Sequence, residues 1–240
     1  MRIRKENKPK LGIIGKIKIG EKHPEKGYPM SLDYFRAKAD IKAIEGYFNN
    51  YYEKSSLLPV CFASDDDDYN TDHRYEIRDK GGKLYSYGDG FDFYVSMREG
   101  YKLYSNSDIQ EKFGSVNSFK DKTKEYLTVG KHKAEWKEVL TLRFLLPKIP
   151  VLGVWELRTM ASKSSIDQIL SNYDLVKNVN GGSIARIPFI LSVKKVKSQR
   201  VLERARCYPV ISLDPILPDE IKESLTNMNL IDSINTKLIE

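Results

Sequence analysis

Along this chain apolar residues recur either at every second position or at a spacing of roughly three to four, and each switch between the two marks a boundary between strand and helix. Leu11-Gly12-Ile13-Ile14 opens a β-like run that continues through Ile17 and Ile19 beside a Gly-Lys-rich turn region. From Asp40 the period lengthens. Ile41, Ile44, Phe48 and Tyr51 or Tyr52 fall on one helical stripe, with Asp40 as N-cap and Ser55 to Pro59 as its end. Pro59 to Ala63 reads as a short buried strand, followed by the acidic run Asp65 to Asp68. His73 to Asp79, Lys83 to Tyr87 and Phe91 to Met97 then form an antiparallel meander, broken at Lys80-Gly81-Gly82 and Gly88-Asp89-Gly90.

The polar stretch from Tyr104 to Lys133 has no clear period and is expected to be irregular, a loop or an insertion. Val139 to Leu146 sets Leu140, Leu142, Phe144 and Leu146 against Thr141 and Arg143 on the opposite face, as in a half-buried strand, and Val151 to Thr159 supplies another. Ser165-Ile166-Asp167-Gln168 has capping-box spacing, and Ile166, Ile169, Leu170 and Tyr173 make a short amphipathic helix that stops before Asn180-Gly181-Gly182. Ser183 to Lys197 and Val201 to Leu213 read as two long strands of a ribbon joined near Ser198-Gln199. Ile221, Leu225, Met228, Ile231, Ile234 and Leu238 mark a last helix after Pro215 and Pro218.

These elements predict an α+β fold: a mainly antiparallel β-sheet body with two short packed helices and a C-terminal amphipathic helix. Residues 1–10 read as a flexible basic arm, 11–213 as a single domain and 214–240 as the C-terminal helix. The length permits a substantial core without staples. Two cysteines, Cys61 and Cys207, are too few for a disulfide framework, and no apolar signal core or long uncharged apolar run is present. A cytoplasmic protein of the host cell, without a membrane partner, is expected.

Charge narrows the partners only in part. Forty basic residues against thirty-three acidic ones leave a formal +7 and a pI near 9.1, compatible with a polyanion yet mixed in sign. The bases concentrate at Arg2, Arg4, Lys5, Lys8, Lys10, Lys16 and Lys18, and again at Arg186, Lys194, Lys195, Lys197, Arg200, Arg204 and Arg206. A two-stranded ribbon fits a major groove, where lysines neutralise phosphates and a guanidinium reads a base edge. Arg2, Arg4, Lys194, Lys195, Lys197, Arg200, Arg204 and Arg206 are therefore the candidate DNA contacts. The bland reading is a solvated hairpin whose lysines keep an edge strand from aggregating.

Tyr75, Tyr85, Tyr87, Phe91, Phe93, Tyr94, Tyr101 and Tyr104 give the middle of the chain an aromatic density suited to stacking on unpaired bases, although cross-strand packing predicts the same residues. Asp65 to Asp68, with Asp72 and His73, could offer oxygen ligands to Mg²⁺, but the run lacks the spacing of a calcium loop and a companion carboxylate motif, and a solvated acidic loop is the favoured reading. His23, His73 and His132 are scattered and no Cys-x-x-Cys pair occurs. Gly-x-Ser-x-Gly is missing, and Gly15-Lys16 lacks the rest of a phosphate-binding loop. No catalytic residue and no cofactor is expected.

The longest-range signal is an order of segments. Gly15-Lys16-Ile17-Lys18-Ile19-Gly20 and Tyr28-Pro29-Met30-Ser31-Leu32-Asp33-Tyr34-Phe35-Arg36 come first, followed by a stretch from Trp136 to Ser212. That stretch holds Trp136 to Pro147, Gly153-Val154-Trp155-Glu156-Leu157-Arg158-Thr159, Arg186 to Lys197 and Cys207-Tyr208-Pro209-Val210-Ile211-Ser212. Over roughly residues 14 to 212 this order resembles the phage family of recombination directionality factor-like proteins. The resemblance implies an accessory protein that partners a large serine integrase, on DNA, and biases it towards excision without bond chemistry of its own. It also implies a cysteine-rich, zinc-like cluster before the strand at Val139 and a cysteine just before Asp89-Gly90. Here Lys122 to Lys137 holds no cysteine and Gly88 precedes Asp89, so zinc is not expected. Two other readings stay open: a single-stranded nucleic-acid-binding protein of phage replication, and a metal-dependent nucleic-acid enzyme. Oligomeric state is not legible.

Overall fold

The computed structural model describes residues 11–79, 81–97, 100–126, 128–129, 132–133, 135–160, 163–197 and 207–216. The basic arm, with Arg2 and Arg4, and Arg200, Arg204, Arg206 and the C-terminal helix all lie outside the described residues. In chain order the elements are β1 (Ile13–Lys22), β2 (Pro29–Lys38), α1 (Lys42–Tyr52), β3 (Leu57–Cys61), α2 (Asp67–Asn70), β4 (Thr71–Arg78), β5 (Leu84–Gly88), β6 (Phe93–Met97) and β7 (Gly100–Tyr104). There follow α3 (Asn106–Phe113), α4 (Val116–Tyr126), β8 (Thr128–Val129), β9 (His132–Lys133), β10 (Lys137–Phe144), β11 (Val154–Thr159), α5 (Lys163–Val179), β12 (Pro188–Lys197) and β13 (Cys207–Pro215).

The fold is α+β, built on an eight-stranded sheet of order β2-β1-β11-β10-β4-β5-β6-β7 and a three-stranded sheet of order β13-β12-β3. The larger sheet is mixed, because β1 pairs in parallel with β11 while its other pairings are antiparallel. Gly15 meets Trp155 and Ile17 meets Leu157 across that parallel seam. The chain makes the large meander before it returns to β11, so no local pattern announces this pairing.

Alternation decides which strand residues enter the core. Ile17, Phe35, Trp155, Leu157, Leu140, Leu142 and Phe144 project from one face of the large sheet and are buried against α1, α5 and the smaller sheet, whose Leu58, Val60, Phe189, Leu191, Ile211 and Leu213 face them. Each such side chain contributes about 1.5–3 kcal/mol when fully buried. A second cluster on the same face of the sheet joins Ile77, Phe93 and Val95 to Ile109 of α3 and Phe119 of α4, with Trp136 edge-on to Phe93 at 5.2 Å.

The stretch expected to be irregular, Tyr104 to Lys133, instead carries α3 and α4. Ser105 and Asp108 close a capping box at the start of α3, and Gly114 ends it at φ 73 in the left-handed region, where glycine has no steric penalty. The period was hidden because these helices bury about one apolar residue per turn, chiefly Ile109, Phe113, Val116 and Phe119, in an otherwise polar surface. Five helices thus replace the expected two among the described residues.

Two caps also differ from expectation. α1 buries Ile44, Phe48 and Tyr52 as its spacing predicts, but Ile41 occupies the N-cap and gives no side-chain bond. Glu45 reaches back instead and accepts from the amide of Ala39 at 2.7 Å. Ser165 lies inside α5, which runs longer than predicted, and its Oγ accepts from the amide of Ile211 at 3.1 Å. Gln168 accepts from the amide of Leu213 at 3.1 Å, and Asn172 donates to that residue's carbonyl at 2.7 Å. α5 therefore satisfies the outer edge of β13, which would otherwise offer unpaired backbone to another strand.

Candidate nucleic-acid interface

Because both apolar clusters use one face of the large sheet, the register places the alternate residues on the other face. There β1 contributes Lys16 and Lys18, β2 Arg36 and Lys38, β11 Glu156 and Arg158, β10 Lys137, Thr141 and Arg143, and β4 Asp72, Arg74, Glu76 and Arg78. Nine bases oppose these three carboxylates and Glu21, which pairs with Arg36 at 2.5 Å, and Asp68, Asp89 and Asp92 rim the same face towards β5 and β6, so the bases dominate only its β2-to-β4 end. Positions scattered from Lys16 to Arg158 become one surface only through the strand order.

Glu76 organises the middle of that surface. Its side chain is 2% exposed and accepts from Arg74 Nε at 2.8 Å and Arg78 Nε at 2.6 Å, and Arg158 Nη2 also bonds to it. Burial alone would raise its carboxyl, but the hydrogen bonds from Arg78 and Arg74 and the charge of Arg158 outweigh that and hold it at about 2. Next to this cluster, Glu156 lies 3.6 Å from Arg143 and 3.8 Å from Lys16. Val139 shares the face yet is 1% exposed, the kind of cover that arginine stems provide.

Towards the β7 edge the same face turns aromatic. Tyr87 stacks on Tyr94 across β5 and β6, with ring centroids 4.8 Å apart and an interplanar angle of 16°; Tyr101 meets Tyr87 edge-on at 6.0 Å, and the Arg74 guanidinium lies 5.7 Å from the Tyr87 centroid. A cleft of about 480 Å³ opens here, lined by Arg74, Arg143, Tyr87, Tyr94, His73 and the rim carboxylates Asp68, Asp72, Asp89 and Asp92. The aromatic-rich segment is thus divided by strand parity, except that Tyr85, two positions from Tyr87, turns to the other face where the β4–β5 register shifts between Ile77 and Arg78. Tyr75, Tyr85, Phe93 and Tyr104 pack on the second cluster, whereas Tyr87, Tyr94 and Tyr101 stand on the open face. Phe91 is exposed in the turn before β6.

The predicted ribbon is present as β12 and β13. β3 pairs with β12 only as far as Ser192, so Lys194 to Lys197, opposite Val210 to Cys207, project as two strands. Phe189, Leu191 and Val193 are buried at the inner end, and Lys194, Lys195 and Lys197 are exposed at the outer end. Lys195 Nζ lies 3.8 Å from Asp33, and among the described residues no ion pair joins the ribbon lysines to the open face of the large sheet.

The acidic run is solvent-exposed at Asp65, Asp67 and Asp68, as a solvated acidic segment would be, and two of its carboxylates also hold neighbouring elements. Asp65 accepts from the amides of Ala185 and Ile184 at 2.8 and 2.7 Å and from Ser183 Oγ at 3.0 Å, bonds that lower its carboxyl. Asp67 accepts from Tyr173 Oη at 2.8 Å and from Lys177 at 2.6 Å. Together they clasp α5 and the approach to β12. Asp65→Ala should cost on the order of 1 kcal/mol and lower the melting temperature by roughly 2–4 °C; a melt identical to that of the parent would mean that the clasp adds nothing. Among the described residues, no group of three or more His, Cys, Asp or Glu is placed to hold a metal ion, and no helix is long and apolar enough to cross a membrane.

A family model described as Gp3-like, recombination directionality factor-like, matches residues 14–216, from β1 through the end of β13 and so across both sheets. No curated protein and no solved structure matched the chain.

Proposed function

Since the chain belongs to the recombination directionality factor-like family, we propose that it is a phage or mobile-element accessory protein that binds a serine integrase on DNA and biases it towards excision. The family match over both sheets is the observation that carries this reading. The protein itself does no bond chemistry, and it works in the host cytoplasm, where its DNA is found. It acts by binding one arrangement of integrase and DNA more tightly than another, because a partner with equal affinity for both shifts no equilibrium. Reversing a strong bias, from about 1:99 to 99:1, needs roughly a 10⁴-fold preference.

DNA contact in this reading falls to the ribbon lysines Lys194, Lys195 and Lys197, with Arg2, Arg4, Arg200, Arg204 and Arg206. The exposed two-stranded end has the width that a major groove accepts. The test is plasmid recombination with the integrase encoded nearest to this gene. Excision from hybrid sites should require the protein, and integration should fall as the protein is added. No change in either direction at saturating protein would sink the proposal. Triple reversal of Lys194, Lys195 and Lys197 to Glu should weaken duplex binding and flatten its salt dependence by about 0.9 in log-log slope for each phosphate no longer neutralised. An unchanged slope would assign these lysines to solubility.

A further inference from the structure

We infer that the open face of the eight-stranded sheet is a binding surface for single-stranded nucleic acid, with Tyr94 and Tyr101 stacking on bases and the basic half of the face holding the phosphates. Two independent features of the same face meet in this assignment. Lysines and arginines from five strands, β2, β1, β11, β10 and β4, are gathered at one end of it, and next to them lie tyrosine rings on three adjacent strands whose outer members are 36% and 56% exposed. Tyrosines that served only the fold would be expected on the opposite face, where Phe93 and its neighbours build the second cluster.

Geometry selects single strands over duplex. Strands about 4.8 Å apart make an eight-stranded face roughly 34 Å across. A major groove is about 12 Å wide and admits a helix or a two-stranded ribbon, so this surface cannot enter one. An unpaired strand can lie across it with its bases on the rings, since every base has a π-face and stacking on aromatic side chains tolerates any sequence. Charge along the path agrees. Arg74, Arg143 and Arg158 form the positive middle, while the cleft beside Tyr94 is rimmed by carboxylates that suit base amino groups rather than phosphates. Asp89 and Asp92 are fixed there by accepting backbone amides, from Phe91 and Asp92 and from Asn106 respectively.

The measurement is fluorescence anisotropy of the full chain, without integrase, against a labelled mixed-sequence strand of about 20 nucleotides, longer than the roughly 4–16 nucleotides that such surfaces occupy, and against its duplex. The single strand should bind at least about tenfold more tightly. Tyr94→Ala and Tyr101→Ala, both on exposed rings outside the cores, should each weaken single-strand binding about tenfold while leaving duplex binding and melting temperature unchanged. Lys18→Glu with Lys38→Glu should lower the salt slope by about 0.7 for each phosphate released from the face. Equal affinity for the two forms overturns the assignment, as does single-strand binding that ignores the tyrosine changes. Because integrase is absent, failure of the recombination assay leaves this result standing, and failure here leaves that assay untouched.

Discussion

Glu76→Gln should lower the melting temperature by roughly 6–12 °C at neutral pH. A single carboxylate that is 2% exposed holds three guanidiniums, from Arg74, Arg78 and Arg158. The amide has one acceptor oxygen in place of two and no charge, so it leaves three crowded cations with only Asp72, 3.4 Å from Arg74, as a carboxylate partner. Breaking a buried ion pair costs about 3–5 kcal/mol, and the arginines, each about 30% exposed, keep the cost at the lower end of that range. For a chain of this size each kcal/mol is worth about 2–4 °C. The pH dependence has a definite sign. The folded carboxyl is held at about 2, below its ordinary 4.5, so its contribution is complete above that ordinary value and is lost as pH falls towards the folded one. Melts of parent and variant should accordingly converge between pH 5 and pH 2, an interval taken from that shift. A constant gap between them would show that the arginine cluster is held by packing rather than by this charge.

Trp155→Ala is expected to be the most damaging single substitution, at about 3–5 kcal/mol or roughly 6–20 °C. Trp155 is fully buried on β11 beside Phe48, with ring centroids 5.7 Å apart. Its indole fills the space above Gly15 on the parallel neighbour β1, where a Cβ would stand 2.4 Å from Trp155 Cζ3. Alanine opens a cavity that two paired strands cannot collapse into. Trp155→Phe should cost far less, because the ring stays against Phe48 and the indole nitrogen it gives up has no hydrogen-bond partner among the described residues. Thermal denaturation of the two variants side by side decides it. Equal losses would mean that ring volume is not what this site needs.

These two residues illustrate what kind of information was legible. Trp155 lies in a segment whose apolar run reads as a strand from local composition, and Phe48 in a stripe that reads as a helix. Their contact across the core is not written in either. Glu76 stands in a predicted strand of the meander, but its three arginine partners come from its own strand and from Arg158, 82 positions away. The candidate site was legible to different depths. The ribbon lysines were singled out because they follow one another in the chain, whereas the basic sheet face was missed because Lys18, Arg74, Arg143 and Arg158 share no segment. A signal was present in the strand parity: once Leu140 and Leu142 are inward, Thr141 and Arg143 must be outward.

The sequence by itself determined the α+β class, most strands of the large sheet, the stripe of α1, the charged end of the ribbon and the family. Each depends on neighbours within a few positions, where pleat and helix pitch impose a period, or on the order of segments along the chain. Tertiary structure alone decided the strand order β2-β1-β11-β10-β4-β5-β6-β7, the parallel seam between β1 and β11, the helices α3 and α4 in a polar stretch, and the use of Asp65 as a clasp on Ile184 and Ala185. Those outcomes rest on pairings between residues about sixty to 140 positions apart, or on a thin apolar stripe that becomes a core only when a sheet covers it. Closing a long loop adds little free energy per added residue, so chain distance scarcely restricts which strands can meet. The choice falls to the packing of complementary faces, and that exists only once the whole chain has folded.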